Sequence, residues 1–244
     1  MKAVIFSGTT EGRALSHAVA ALGADVTVCV ATDLGAEEQG CAPGITVRAG
    51  RLDAGEMAAL LQGTALCVDA THPYATEATR NIRAAATAAG VAYHRLLRPA
   101  SALPAGSVVL ETAAQAAAYL AAKPGNVLLA TGAKELPAFA ALDPARLYPR
   151  VLPTLAGITA CEAAGIPHRN IIAMQGPFTL ELNVALLRQF SIAAMVTKDG
   201  GAAGGFAEKA EAAARCGVQL IVLRRPEEQG ENAETILQRC RELL

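Results

Sequence analysis

Short apolar runs recur along the chain, each halted by glycine, proline or a knot of polar residues. Residues 2–6, Asp25 to Val30, Ile45 to Val47, Leu66 to Ala70, Tyr93 to Leu97, 126–130, Leu147 to Val151, Ile171 to Met174, Ile192 to Val196 and Val218 to Leu223 read as strands. Leu66 to Ala70 in particular reads as a buried parallel strand, covered above and below. Stretches with apolar positions three and four apart lie between the strands and read as helices. One is closed by Gly23, one is opened by Asp53 with Glu56 as a capping box, and others run from Pro73 to Gly90, Thr112 to Ala122 and Thr154 to Gly165. A further one opens at Phe206. The alternation predicts an α/β protein of two Rossmann-like three-layer domains, with parallel sheets and an interdomain cleft. Lys123-Pro124-Gly125 breaks the pattern near mid-chain, dividing it into an N-terminal domain, 1–124, and a C-terminal domain, 125–244.

The loops that follow the strands carry the distinctive residues. The first strand halts at Ser7-Gly8-Thr9-Thr10-Glu11-Gly12-Arg13. Only Gly8 and Gly12 of a dinucleotide G-x-G-x-x-G are present, so Thr9, Thr10 and Arg13 are read as groups for phosphate or carboxylate. Leu66 to Ala70 delivers Thr71-His72-Pro73-Tyr74 at the same edge, and 126–130 ends in Thr131-Gly132-Ala133-Lys134. Arg150 stands near a strand end, and Gln175-Gly176-Pro177-Phe178 follows the next run. The richest stretch is Thr197-Lys198-Asp199-Gly200-Gly201 with Gly204-Gly205, where a strand spills through glycines into a helix. Glycine admits close backbone approach, and a helix N-terminus offers N–H groups to anions. Strand carboxyl ends share one edge of a parallel sheet, so the expected cleft gathers Arg13, His72, Lys134, Arg150 and Lys198 around a polyanion. Arg48 and Arg51, near another strand end, are candidates to read a 2′-phosphate.

Composition narrows the classes. Hydrophobic residues make up 52% of 244, enough for a large core, yet no apolar run approaches the length of a membrane span. Net charge is −1 and aromatics are 4%, which argues against nucleic-acid and anionic-membrane partners. Met1-Lys2 leads directly into a strand-like run rather than a signal peptide, and the 6 cysteines form no C-x-x-C pair. Buried thiols of a cytoplasmic protein are expected, with no metal site.

The motifs Gly8 to Arg13, Asp69-Ala70-Thr71-His72-Pro73-Tyr74-Ala75, Thr131-Gly132-x-Lys134, Gln175 to Phe178 with Glu181-Leu182-Asn183, Thr197 to Gly205 and Arg225-Pro226 occur in an order that resembles the precorrin-6A reductase family of cobalamin (corrin ring) biosynthesis. One departure is Gly200, where the family usually carries serine. The resemblance implies an NADPH-dependent oxidoreductase that reduces one macrocycle double bond of precorrin-6A, or of its cobalt complex, to precorrin-6B, without metal or flavin. It makes a tetrapyrrole the small-molecule partner, with hand-over to neighbouring corrin-pathway enzymes. Lys198 is then expected near the reacting ring, as electrostatic anchor or proton donor. Thr131, Gly132, Lys134, Gln175, Gly176, Pro177, Phe178, Gly200, Gly201, Gly204 and Gly205 are read toward the cofactor. Gly8, Thr9, Thr10, Arg13, His72, Tyr74 and Arg150 are read toward the substrate. The residues leave rivals open. Tyr119-x-x-x-Lys123 matches the catalytic spacing of short-chain dehydrogenases, although Lys123 closes its helix. A tetrapyrrole- or nucleotide-binding sensor without turnover, or another tetrapyrrole enzyme such as a uroporphyrinogen-III synthase, would use a similar cleft.

Overall fold

A computed structural model describes residues 1–97, 102–201, 204–227 and 229–244. The chain forms two compact units, Met1–Arg98 with Pro226–Leu244, and Pro99–Arg225.

Unit 1 holds β1 (Lys2–Phe6), α1 (Thr10–Ala21), β2 (Asp25–Val30), α2 (Asp33–Gln39), β3 (Ile45–Ala49), α3 (Ala54–Leu61), β4 (Leu66–Asp69), α4 (Thr76–Ala89), β5 (Tyr93–Arg95) and α9 (Ala233–Leu243). Its sheet runs β3-β2-β1-β4-β5, every pair parallel. Side chains alternate across it. Ala3 and Ile5 face Leu15 and Val19 of α1 and Ile236 and Cys240 of α9. Val4 and Phe6 face Met57 and Leu61 of α3 and Ile82 and Ala86 of α4.

Unit 2 holds β6 (Val108–Leu110), α5 (Ala113–Ala121), β7 (Asn126–Ala130), β8 (Leu147–Val151), α6 (Leu155–Ala163), β9 (Ile172–Ala173), α7 (Leu180–Gln189), β10 (Ile192–Lys198), α8 (Phe206–Cys216) and β11 (Gln219–Leu223). Its parallel sheet runs β6-β11-β10-β7-β8-β9. Val127, Leu129 and Val196 pack under α5 and α6, while Leu128, Met195 and Val222 pack against α7 and α8. From β9 to β11 this repeats the 3-2-1-4-5 order of unit 1, with β6 added at the edge. Each unit is thus a Rossmann-type half.

The last elements are exchanged in sequence. The segment after β5 supplies β6 and α5 to unit 2, while Glu231, beyond β11, bridges Leu96 in parallel and leads into α9 of unit 1. Lys123-Pro124-Gly125 therefore lies inside unit 2, between a helix and a strand that share its core, and not at the boundary the sequence break implies. Asp53 and Glu56 form the expected capping box. Pro73 does not open α4, which starts three residues later at Thr76 behind the N-cap Ala75, because 72–75 is held as a turn by Ala75 N–H donating to His72 O at 2.8 Å. The sequence follows a strand-like run with Arg-Pro twice, at Arg98-Pro99 and at Arg225-Pro226, and the first of these lies outside the described residues.

Candidate active site

In each sheet the chain reverses its direction of strand addition once, between β1 and β4 in unit 1 and between β7 and β10 in unit 2. Ligands of such folds bind beyond the carboxyl ends of the two strands flanking that point.

In unit 1 the two flanking loops are joined by Thr9. Its hydroxyl accepts from Gly12 N–H at 3.0 Å, capping α1, and donates to Ala70 O at 2.8 Å. Gly12 permits this approach, since a Cβ there would lie 2.5 Å from Ser7 Oγ and 2.9 Å from Ala70 Cβ. Gly8 has φ of 110°, a conformation side chains rarely adopt. Arg13 Nη1 donates to Glu38 O at 2.7 Å, and a cavity of about 20 Å³ lies among Ser7, Thr9, Thr10, Arg13 and Glu38. Ser7 Oγ is buried there without a hydrogen-bond partner. His72 and Tyr74, both half-buried, stack loosely with ring centroids 5.5 Å apart. So the structure brings Gly8, Thr9, Thr10 and Arg13 to the sheet edge that also carries the His72 loop.

Behind that loop Asp69, fully buried, accepts from Arg95 Nη1 at 2.7 Å, from Thr71 N–H and Oγ1, and from Tyr93 OH at 3.0 Å. Burial, together with the Asp69 charge, pushes the Tyr93 phenol up. Alongside α4 a cavity of about 1220 Å³ is lined by Thr79, Arg80, Arg83 and Arg95, with Pro226 and Glu227 opposite. The sequence reading missed it. Its signal is the helical spacing of Thr76, Thr79, Arg80, Arg83 and Thr87 on one polar face.

In unit 2 Thr131 and Gly132 repeat the Ser7-Gly8 arrangement at the end of the equivalent strand. Thr131 Oγ1 is buried without a partner, and Gly132 has φ of 83°. Lys198 is the last residue of β10, one step earlier than the sequence places it, and its Nζ meets Glu135 Oε1 at 2.7 Å. Glu135, not the exposed Lys134 beside it, is the side chain of that turn directed to the crevice. Asp199 Oδ1 accepts from Gly201 N–H at 3.1 Å and faces Arg225 Nη2 at 3.6 Å. Gly201 and Gly205 have positive φ. A Cβ on Gly200 would stand 3.2 Å from Gly204 Cα, and its own N–H donates to Lys198 O at 2.9 Å, so that N–H is already engaged within the loop. Arg150 is buried, donates to Asn183 Oδ1 at 2.8 Å and lies 4.0 Å from the centroid of the Phe178 ring. Desolvation pushes its pKa down to about 10. Asn183 Nδ2 in turn donates to Phe178 O at 3.2 Å, which ties the loop from Gln175 to Phe178 onto Arg150. Gln175, Gly176 and Pro177 are themselves exposed, and Gly176 lies against the Phe178 ring.

A family profile described as "Precorrin-6x reductase CbiJ/CobK" matches residues 2–241. The chain belongs to this family. Among precorrin-6x reductases it is 37% identical to the "Cobalt-precorrin-6A reductase" of Priestia megaterium, over 91% of this chain and 90% of the relative. It is 30% identical to the "Precorrin-6A reductase" of Rhodobacter capsulatus, over 91% and 87% respectively. A solved structure, "CobK precorrin-6A reductase", superposes with a TM-score of 0.81 at 25% identity, covering 99% of this chain and 97% of the other. Family membership displaces the short-chain dehydrogenase reading, and geometry agrees. Lys123 follows the C-terminal end of α5 with its amine 5.4 Å from the Tyr119 ring centroid, at the sheet edge opposite the crevice. No helix of the described residues is long and apolar enough to cross a membrane.

Proposed function

We propose that this protein reduces precorrin-6A, or its cobalt complex, to the dihydro product by hydride from NADPH and a proton. The observation that carries this reading is the placement of four motifs, Gly8 to Arg13, Asp69 to Ala75, Thr131 to Lys134 and Thr197 to Gly205, at the two switch points of a chain that matches the family from residue 2 to residue 241. A ring fringed with acetates and propionates requires cations spread over a wide surface. The cavity of about 1220 Å³ beside α4, with Arg80 and Arg83 on its wall, has that character.

NADPH, when bound, supplies the hydride. The residues of unit 2 suit it: the unpartnered Thr131 hydroxyl offers a hydrogen bond, and at Gly132 and Gly204 the space a Cβ would enter is open, so the backbone can be approached closely. Gly200 and Gly201 continue that loop. Lys198 presents a cation held in place by Glu135. Its role is to stabilise negative charge developing on the ring, or to hold the proton for transfer, once its partner shifts. In unit 1, Arg13, His72 and Tyr74 are assigned to the substrate's periphery, with Thr9 fixing their two loops.

Anaerobic incubation of the purified protein with NADPH and metal-free precorrin-6A, and in parallel with its cobalt complex, tests the reading. Loss of NADPH matched one to one by a dihydro product with either ring is the expected result, and the preferred ring identifies the natural substrate. No NADPH oxidation with either ring, despite tight ring binding, would replace the reductase by a sensor.

A further inference from the structure

The segment that leaves β4, from Asp69 to His72, is held more completely than a surface connection requires. Loop backbone ordinarily turns its polar groups to water. Here four successive carbonyls each accept a hydrogen bond from the protein. Asp69 O accepts from Leu96 N–H at 2.9 Å, and Ala70 O from the Thr9 hydroxyl at 2.8 Å. Thr71 O accepts from Arg95 Nη1 at 3.0 Å, and His72 O from Ala75 N–H at 2.8 Å. The amides of Ala70 and Thr71 are engaged as well, by Phe6 O and by Asp69 Oδ1. The Thr71 hydroxyl is the hub of this network. It donates to Asp69 Oδ1 at 2.7 Å, accepts from Arg95 Nη1 at 3.3 Å and meets Thr79 Oγ1 of α4 at 3.4 Å. Strand β4, strand β5 and helix α4 thus converge on one side chain.

A sealed ion pair is a poor device for stability alone, since apolar residues of similar volume often serve as well or better. What Asp69 and Arg95 fix here is the path of the backbone. One carboxylate oxygen takes both the N–H and the hydroxyl of Thr71, while the guanidinium takes its carbonyl. His72 and Tyr74 follow at once, their rings 5.5 Å apart. Thr79 and Arg95 also form part of the wall of the cavity beside α4, the one suited to the ring. Side chains held in place before a ligand arrives lose less freedom on binding it. We infer that Thr71 is a positioning residue for the macrocycle: its hydroxyl, clamped by Asp69, Arg95 and Thr79, holds His72 and Tyr74 in the conformation that meets the ring's edge. The inference rests on the reductase reading for the identity of the ligand. Its effect falls on ring recognition rather than on hydride supply, because the groups assigned to NADPH lie in unit 2.

Two variants of the full chain separate the hydroxyl from the shape of the side chain. Thr71→Val is expected to raise KM for the preferred ring at least tenfold, with much smaller changes in kcat and in KM for NADPH. Thr71→Ser should recover most of the loss. With His72→Ala and Tyr74→Ala already in place, Thr71→Val should lose most of its effect, since it acts through those side chains. In the unliganded protein, amide hydrogen exchange over 70–75 should quicken in Thr71→Val and not in Thr71→Ser. An unchanged KM for the ring in a Thr71→Val protein with wild-type circular dichroism overturns the role. So does an equal rise in KM for NADPH, or an undiminished effect in the background lacking His72 and Tyr74. Should Thr71→Val fail to fold, Tyr93→Phe, which takes one hydrogen bond from Asp69 Oδ2, makes the same test. A severalfold rise in KM for the ring is then expected, and an unchanged value overturns the role. If the wild type reduces neither ring, ring binding followed by the absorbance of the macrocycle replaces KM. Binding that still depends on the Thr71 hydroxyl would leave the positioning role standing while the reductase reading falls.

Discussion

The two crevices are built on one plan and differ in how they dispose of charge. In each unit an aspartate at the end of the fourth strand of the motif faces an arginine at or just past the end of the fifth. In unit 1 that pair, Asp69 and Arg95, closes to 2.7 Å with side chains 0% and 2% exposed. In unit 2 the equivalent pair, Asp199 and Arg225, stands at 3.6 Å. The ties across the switch points differ likewise. Thr9 joins its loops through a neutral hydroxyl donating to a backbone carbonyl, whereas Lys198 and Glu135 do so through two partly exposed charged side chains. Unit 1 seals its pair away from solvent, whereas unit 2 holds its pair more loosely and ties its loops through charge. The same topology therefore serves two physical roles, and the difference lies in a few side chains at strand ends.

The largest effect is expected from Lys198→Ala, which should lower turnover on the order of 100-fold or more. The fold should be little affected, because a partly exposed pair contributes at most about 1 kcal/mol. Turnover near the wild-type value would remove Lys198 from the chemistry and erase the contrast between the two ties. Next comes the comparison of Asp69→Asn with Asp199→Asn in urea denaturation. Removing one partner of the sealed pair should cost about 3–5 kcal/mol. The looser pair should cost about 1.5–3 kcal/mol, the scale of one hydrogen bond to a charged group. Equal losses would mean that the two crevices are equally closed.

Lys209, buried on α8 of unit 2, sharpens the contrast from the opposite side, since Lys209→Met should stabilise the unliganded protein. The amine's folded pKa of about 8 lies below its ordinary 10.5, so between those values the unfolded chain binds the extra proton. Stability of the wild type therefore rises with pH through that window, and the burial penalty is fully present below it. At pH 7 the methionine variant is expected to be more stable by at most about 3 kcal/mol, from 1.36 kcal/mol per pKa unit. The gap should narrow between pH 8 and 9 in thermal denaturation, and a constant gap would refute the charged, desolvated amine. Above that range Cys29 and Cys67, pushed up to about 11 and 12 by burial, oppose the trend, because their folded thiols keep protons that the unfolded chain loses. The smallest effect belongs to Thr9→Val, which removes a cap and a cross-loop bond and should cost about 1–2 kcal/mol. No measurable loss in unfolding free energy would show that the tie between the loops is dispensable.

Much of this was readable from local signals. The strand runs, the Gly23 and Gly90 helix ends, the Asp53–Glu56 capping box and the loops at Gly8 and Lys198 all rest on residues near in sequence, and the structure keeps them. What escaped depends on partners far away. β6 is three half-buried residues whose identity as a strand comes from pairing with β11, more than a hundred positions later. α2 is a short helix announced by little more than its Thr32 cap. Arg95 reads as part of an ordinary strand, and only the fold reveals that it closes on Asp69. Lys209 was visible in one respect, as a lysine where the helical stripe demands an apolar residue, but the charges that act on it could be known only after β8 and β10 were in place.

The exchange of terminal elements sets an order on folding. Residues 102–225 are contiguous, so unit 2 needs nothing beyond residue 225 to close. Unit 1 is completed last: without Ile236 and Cys240 the cluster in which Ala3 and Ile5 meet Leu15 and Val19 lacks one of its walls. A chain cut short of residue 230 would carry one finished half and one half with an open apolar flank, the state on which a chaperone acts.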